Sequence, residues 1–126
     1  MVRGLGVDIV QIERIGGAFE RFGQRLVDRL LSKQEQAMMA TRSDPVRFIA
    51  GRFAAKEALT KALGTILQVR PAWSQMQILA DWQGRPVIVM ESKVPETAPE
   101  LRFHVSISHE RDYAVAVVVV ESEAQA

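Results

Sequence analysis

Hydrophobic residues recur along this chain in two rhythms, which divide it into an opening strand, a helical first half and a strand-rich second half. Residues 3–12, RGLGVDIVQI, alternate: Leu5, Val7 and Ile9 fall on one face, and Gly4, Gly6, Asp8, Val10 and Ile12 on the other. Over residues 13–31 the period lengthens to that of a helix, with Ile15, Phe19, Phe22 and Leu26 at core spacing, and Gly23 bends or ends it. Ser32-Lys33-Gln34-Glu35 matches the S-x-x-E capping box, so a short helix is expected to about Thr41. The longest periodic run is 48–64, FIAGRFAAKEALTKALG, started by Ser43-Asp44-Pro45 and stopped by Gly64.

The second half changes period. After a loop over 65–75, Met76, Ile78, Ala80 and Trp82 alternate with polar neighbours, and Gln83-Gly84-Arg85 turns the chain into PVIVM, which predicts a hairpin. Residues 93–100 read as a connection, with two prolines. Two final strands are predicted over 102–109 and 113–121, the second (YAVAVVVV) apolar on both faces and therefore central and covered, before a frayed tail at 121–126. The pattern predicts an α+β fold: an antiparallel sheet packed around a long central helix.

That central helix carries the unusual charges. At about 100° per residue, Phe48, Gly51, Ala55, Ala58, Leu59 and Ala62 form one apolar face, while Val46, Ala50 and Phe53 share the other side with Glu57 and Lys61. A helix apolar on two sides is covered on two sides. Glu57 and Lys61 are then expected in or beside an interface, where an ionised group needs a partner or a metal.

Composition narrows the chemistry. The 126 residues, 48% hydrophobic, suit one domain over 1–126. There is no cysteine, hence no disulfide, thiolate nucleophile or Cys-based zinc site. With only His104 and His109, any metal is expected to be a hard, oxygen-liganded ion such as Mg²⁺. No stretch approaches the ~20 apolar residues that span a bilayer and none forms a signal peptide, so a cytoplasmic protein without a membrane partner is expected. The net charge of +1 conceals ten Lys/Arg against five Asp/Glu over 14–61 and two against six over 94–126. The basic half suggests an anionic partner; the balance is too weak, and aromatics too few, for a dedicated nucleic-acid binder.

Three candidates follow. Asp8 is an aspartate inside a strand, either bonded to a turn or a nearby arginine, or serving as a metal ligand or catalytic group, with Gly4 and Gly6 leaving room for a ligand. Arg14, Arg21 and Arg25 lie on one side of an ideal helix, either a solvated face or a stripe that docks an acidic partner. Two carboxylates from different elements, Asp8 and Glu57, can share a Mg²⁺, and Lys61 can meet the same phosphate, although Glu57 and Lys61 at i,i+4 also make an ordinary helix pair. Ser106, Ser108 and His109 add a polar edge. Walker, dinucleotide and nucleophile-elbow motifs are absent.

Three blocks, GVDIVQIERI (6–15), FIAGRFAAKEALTKALGT (48–65) and HVSISHERDYAVAVVV (104–119), resemble the small bacterial type of 4′-phosphopantetheinyl transferase, the holo-[acyl-carrier-protein] synthases. The resemblance spans essentially the whole chain. It implies that family's fold and the transfer of 4′-phosphopantetheine from coenzyme A to a serine of apo acyl carrier protein, releasing adenosine 3′,5′-bisphosphate, in fatty acid biosynthesis. It further implies Asp8 and Glu57 as ligands of Mg²⁺ (Mn²⁺ being the alternative) and Lys61 on the attacked phosphoryl group. Arg52, Lys56 and His109 would meet the nucleotide, and Arg14, Arg21 and Arg25 the acidic carrier. The serine proton would pass to water on the ion or to a carboxylate such as Glu57. The family is a homotrimer with sites between subunits, which would cover the second side of the central helix. Ile66 stands where the family continues with glycine, so the loop beyond the helix is expected to differ. The competing readings are a Mg²⁺-dependent transferase for another nucleotide diphosphate or carrier domain, and a non-catalytic carrier-binding subunit.

Overall fold

The alternation at the start of the chain becomes strand β1 (Val2–Gln11), and Ile12 opens helix α1 (Ile12–Phe22) where alternation alone would have continued the strand. These elements belong to a computed structural model, which describes residues 1–64, 66–67, 70–91 and 100–122. At Gly23 the backbone takes φ 57°, a conformation glycine adopts without a Cβ penalty, so α1 stops and α2 (Gln24–Leu30) restarts. The capping box forms at α3 (Lys33–Met39): Glu35 N–H donates to Ser32 Oγ at 3.1 Å, and Ser32 N–H donates to Glu35 Oε1 at 2.9 Å. Helix α4 (Pro45–Leu63) begins with Arg47 N–H on Asp44 Oδ1 at 3.1 Å and ends at Gly64, where φ is 47°.

A 3-10 turn at Trp73–Gln75 leads into β2 (Met76–Ala80), which pairs antiparallel with β3 (Pro86–Met90). Strands β4 (Leu101–His109) and β5 (Tyr113–Ser122) follow. The strands make two sheets instead of one: β1-β5-β4, antiparallel with β5 central, and the β2-β3 hairpin. Glu121 and Ser122, expected in a frayed tail, complete β5 against Leu101 and Arg102. The rest of that tail and the expected connection over 93–99 lie outside the described residues.

Helix α4 crosses the inner face of the three-stranded sheet on a layer of small residues. A Cβ added at Gly6 would sit 1.9 Å from Ala58 O, and one at Gly4 would sit 1.8 Å from Ala62 O. The two glycines therefore serve the close approach of a helix backbone, and the room expected for a ligand is filled by α4. The sheet-facing side of α4 matches its predicted apolar face at Ala55, Ala58, Leu59 and Ala62, while Phe48 joins the cluster formed with α1 and α2. The other apolar side, expected to need a neighbouring subunit, is covered by the chain itself: Val46, Ala50 and Phe53 pack with Ile15, Val27, Leu30 and Phe19 of α1 and α2.

What stays uncovered is the outer face of the sheet. Leu5, Val7 and Ile9 are 67%, 53% and 62% exposed, and their register partners on β5 include Val117, also exposed. Strand β5 is thus central but covered on one face only. Ile66 packs against the core beside α4, and its N–H donates to Leu63 O at 2.7 Å.

Candidate active site

Position 8 falls on the sheet's inner face, and the lysine that ends the KEALTK run comes down beside it. Lys61 Nζ donates to Asp8 Oδ1 at 3.2 Å and to Val7 O at 3.0 Å; the lysine side chain is 54% exposed and the aspartate 17%. Glu57, one turn earlier on α4, lines with Asp8 an open cleft of about 730 Å³. Arg14 borders the same cleft, whose apolar wall is made by Ile15, Leu26, Leu30, Phe53 and Trp73. The Phe53 and Trp73 rings stack with centroids 5.4 Å apart and planes 11° from parallel.

Asp8 and Glu57 therefore line one cleft, and Lys61 is joined to them through its bond to Asp8. Their chemistry fits a hard cation with phosphate oxygens: two carboxylates from separate elements, and an amine on a mobile stem. Among the described residues no third histidine or carboxylate joins them.

The residues expected at the nucleotide separate. Arg52 and His109 sit on another side of α4, away from the cleft. The Arg52 guanidinium lies over the Phe48 ring at 4.4 Å, with Arg42 at 5.3 Å from the same ring, and Arg52 Nε–H donates to Ile78 O at 3.1 Å. Burial pushes Arg52 down to about 10, opposed by the Glu35 carboxylate and aided by Arg42. His109 rests on Gly51, where a Cβ would stand 2.7 Å from Nε2, and that nitrogen is buried with no hydrogen-bond partner among the described residues. Burial, reinforced by Arg47, lowers the imidazole below its ordinary value, so His109 is neutral near pH 7. Lys56 requires a correction. It has no exposed side-chain surface, and its amine is spent on Glu35, Leu30 O and Trp73 O, so it offers nothing to a nucleotide.

Arg14, Arg21 and Arg25 are all exposed, but the break at Gly23 puts Arg25 on α2, so the three do not form one helical stripe. Arg21 lies over the Phe22 ring at 5.1 Å, and Arg25 lines a shallow groove with Phe22, Leu26 and Arg29. Arg29 also borders the main cleft; its spacing of four from Arg25 was the available signal for it. Ser106 and Ser108 point to the outer face of the sheet, opposite Val117 and Val115, and do not join Asp8.

Fold and cleft together define a class first: a small α+β protein with the phosphopantetheinyl transferase fold. The family described as the 4′-phosphopantetheinyl transferase superfamily matches residues 4–118, and the chain belongs to that superfamily. It is 43% identical over 124 residues to the holo-[acyl-carrier-protein] synthase of Yersinia pestis (strain Pestoides F), covering 96% of this chain and 98% of that relative. Among solved structures it is similar to holo-[acyl-carrier-protein] synthase from Neisseria meningitidis, with TM-score 0.87 and 35% identity, over 97% of this chain and 100% of that one. It is also similar to the holo-(acyl-carrier-protein) synthase from Bacillus anthracis str. Ames in complex with CoA (3′,5′-ADP), with TM-score 0.81 and 32% identity, over 98% and 99% of the two chains.

Proposed function

We propose that this chain transfers 4′-phosphopantetheine from coenzyme A to a serine of apo acyl carrier protein. The observation that carries the reading is one open cleft lined by Asp8 and Glu57, with Lys61 bonded to Asp8, in a chain that matches holo-[acyl-carrier-protein] synthases over nearly its full length. The serine oxygen forms a bond to the phosphorus next to the pantetheine arm, and the bond from that phosphorus to the adenosine 3′,5′-bisphosphate breaks. Asp8 and Glu57 would hold Mg²⁺ or Mn²⁺, which when bound supplies charge neutralisation on the pyrophosphate and acidifies water. Lys61, freed from Asp8, follows the charge on the transferred phosphoryl group. Asp8 and Glu57 are the two carboxylates lining the cleft, so the serine proton goes to one of them or to water.

Arg14 at the cleft and Arg21 and Arg25 beyond it form the surface for the acidic carrier, together with Arg29. Arg52 and His109, on the far side of α4, would serve the nucleotide of a site completed by a neighbouring subunit. The exposed Leu5, Val7 and Ile9 face fits burial against another copy of the chain, as the homotrimer would provide. No helix among the described residues is long and apolar enough to cross a membrane; a cytoplasmic location in support of fatty acid biosynthesis accords with this reading. Intact-mass spectrometry of apo carrier protein incubated with coenzyme A, Mg²⁺ and this protein tests it. The expected result is a phosphopantetheine adduct; none, beside a working control enzyme, would overturn the reading.

A further inference from the structure

Lys56 and Glu35 are both fully buried, 2.7 Å apart, and every donor or acceptor they have is committed to a different part of the molecule. Lys56 Nζ donates to Glu35 Oε1, to Leu30 O at the end of α2 and to Trp73 O of the 3-10 turn at 2.8 Å. Glu35 in turn accepts from Ser32 N–H on Oε1 and from Ile78 N–H on Oε2, each at 2.9 Å. One amine and one carboxylate thus tie α2, α3, the turn and β2 to α4. The two carbonyls that Lys56 grips belong to Leu30 and Trp73, and both residues line the cleft, as does Glu57, the next residue on α4. The Trp73 ring stacks on Phe53, one turn before Glu57.

Burying an ion pair is a poor route to stability, since apolar residues of the same volume do as well or better. What the pair supplies is direction: five bonds, four of them to main-chain atoms, each fixing where a segment stands relative to Glu57. We propose that Lys56 and Glu35 are a positioning pair for the transfer reaction. They hold the Leu30–Trp73–Phe53 wall at the spacing from Glu57 that admits the serine-bearing segment of the carrier. The proposal rests on the transferase reading for its kinetic consequence; its structural consequence is tested separately.

The chain has two tryptophans, and Trp82 is 89% exposed near the tip of the β2-β3 hairpin, so a Trp82→Phe background leaves Trp73 as the sole reporter. In that background, Lys56→Met with Glu35→Leu removes both charges together and leaves neither orphaned. The expected result is a folded protein whose Trp73 emission moves to longer wavelength and whose quenching by acrylamide at least doubles. The carrier KM is expected to rise about tenfold and the coenzyme A KM to change less than twofold. Unchanged Trp73 emission and quenching would overturn the proposal, whatever the kinetics. Should the double variant not fold, Trp73→Ala takes its place. It leaves the buried pair intact and is expected to give the same split between the two KM values; equal effects on both, or none, would overturn the proposal. If the unsubstituted protein makes no adduct, the transferase reading fails, and the fluorescence result alone still decides whether the pair holds the wall.

Discussion

Alanine in place of Gly6 tests whether the contact between β1 and α4 builds the site. The new Cβ would lie 1.9 Å from Ala58 O and 2.8 Å from Ala62 N. A relaxed carbon–oxygen contact is about 3.3 Å, so the shortfall is roughly 1.4 Å, and the obstacle is main chain within a helix. No side chain can rotate out of the way. Helix α4 must draw back from the sheet by on the order of 1 Å, a gap that forfeits a quarter to a half of each dispersion contact across the layer. Overpacking costs about 1–3 kcal/mol, and with the backbone as the obstacle the upper end applies, ~3 kcal/mol. That is a large share of a ~5–15 kcal/mol total and lowers Tm by about 12 °C. The same retreat parts Lys61 from Asp8, now 3.2 Å apart, and a displacement of ~1 Å at reacting groups costs about 10²-fold in rate. Urea unfolding and carrier-protein transfer are measured on Gly6→Ala beside Gly17→Ala. At Gly17 an added Cβ meets nothing within 4 Å, inside α1, where alanine should add about 0.5–1 kcal/mol. A Gly6→Ala protein as stable as its parent and within threefold of its activity would refute the close approach.

Asp8→Asn should reduce transfer by ~10²-fold or more while unfolding within about 1 kcal/mol of the parent, since its half-exposed partner Lys61 makes a weak pair; a fully active or an unfolded variant would contradict the metal-ligand role. Val7→Asp, at a 53% exposed position on the outer sheet face, should leave the fold within about 0.5 kcal/mol and, if the proposed homotrimer forms through this face, sediment as a monomer beside a trimeric parent; a monomeric parent, or a variant sedimenting with the parent's mass, would show that this face is not the interface. His109 carries a depressed pKa, so above 6.5 both folded and unfolded states leave it neutral and it contributes nothing. Below that value the unfolded chain takes the proton more readily, and stability falls with pH towards the folded-state pKa. His109→Gln should flatten that part of the stability–pH curve between pH 7 and 5; an unchanged slope would mean the ring is not held neutral by its surroundings.

Much of this fold was legible because local signals and packing agree. Alternation over residues 3–12, the box at Ser32 and Glu35, and the Asp44-Pro45 start each correspond, to within a residue or so, to an observed element. Where the fold departs from the sequence pattern, the missing information is tertiary. Gly4 and Gly6 announce close approach, but a sequence does not say whether a ligand or a helix approaches. Val46, Ala50 and Phe53 announce a second covered side, but not that α1 and α2 of the same chain cover it. Alternation in β1 identifies two faces, and the more apolar one, Leu5-Val7-Ile9, is the face left open.

The site shows the same limit within two turns of helix. Lys56, Glu57 and Lys61 stand in one short run, and the family resemblance implies ligand chemistry for all three. A step of about 100° along α4 separates Lys56, turned into the protein, from Glu57 on the cleft, while the step of four from Glu57 to Lys61 stays on one side. The buried amine is lowered by desolvation and opposed by Glu35, the residue that also caps α3. A capping box predicts a helix start from four residues, but not that its glutamate has a second carboxylate oxygen to give to β2 and a lone pair to give to Lys56. Identical charges on neighbouring turns thus acquire different tasks from helical phase alone. The phase that the sequence shows for the apolar face of α4 also sets Lys56 about 100° from Glu57 and about 140° from Lys61.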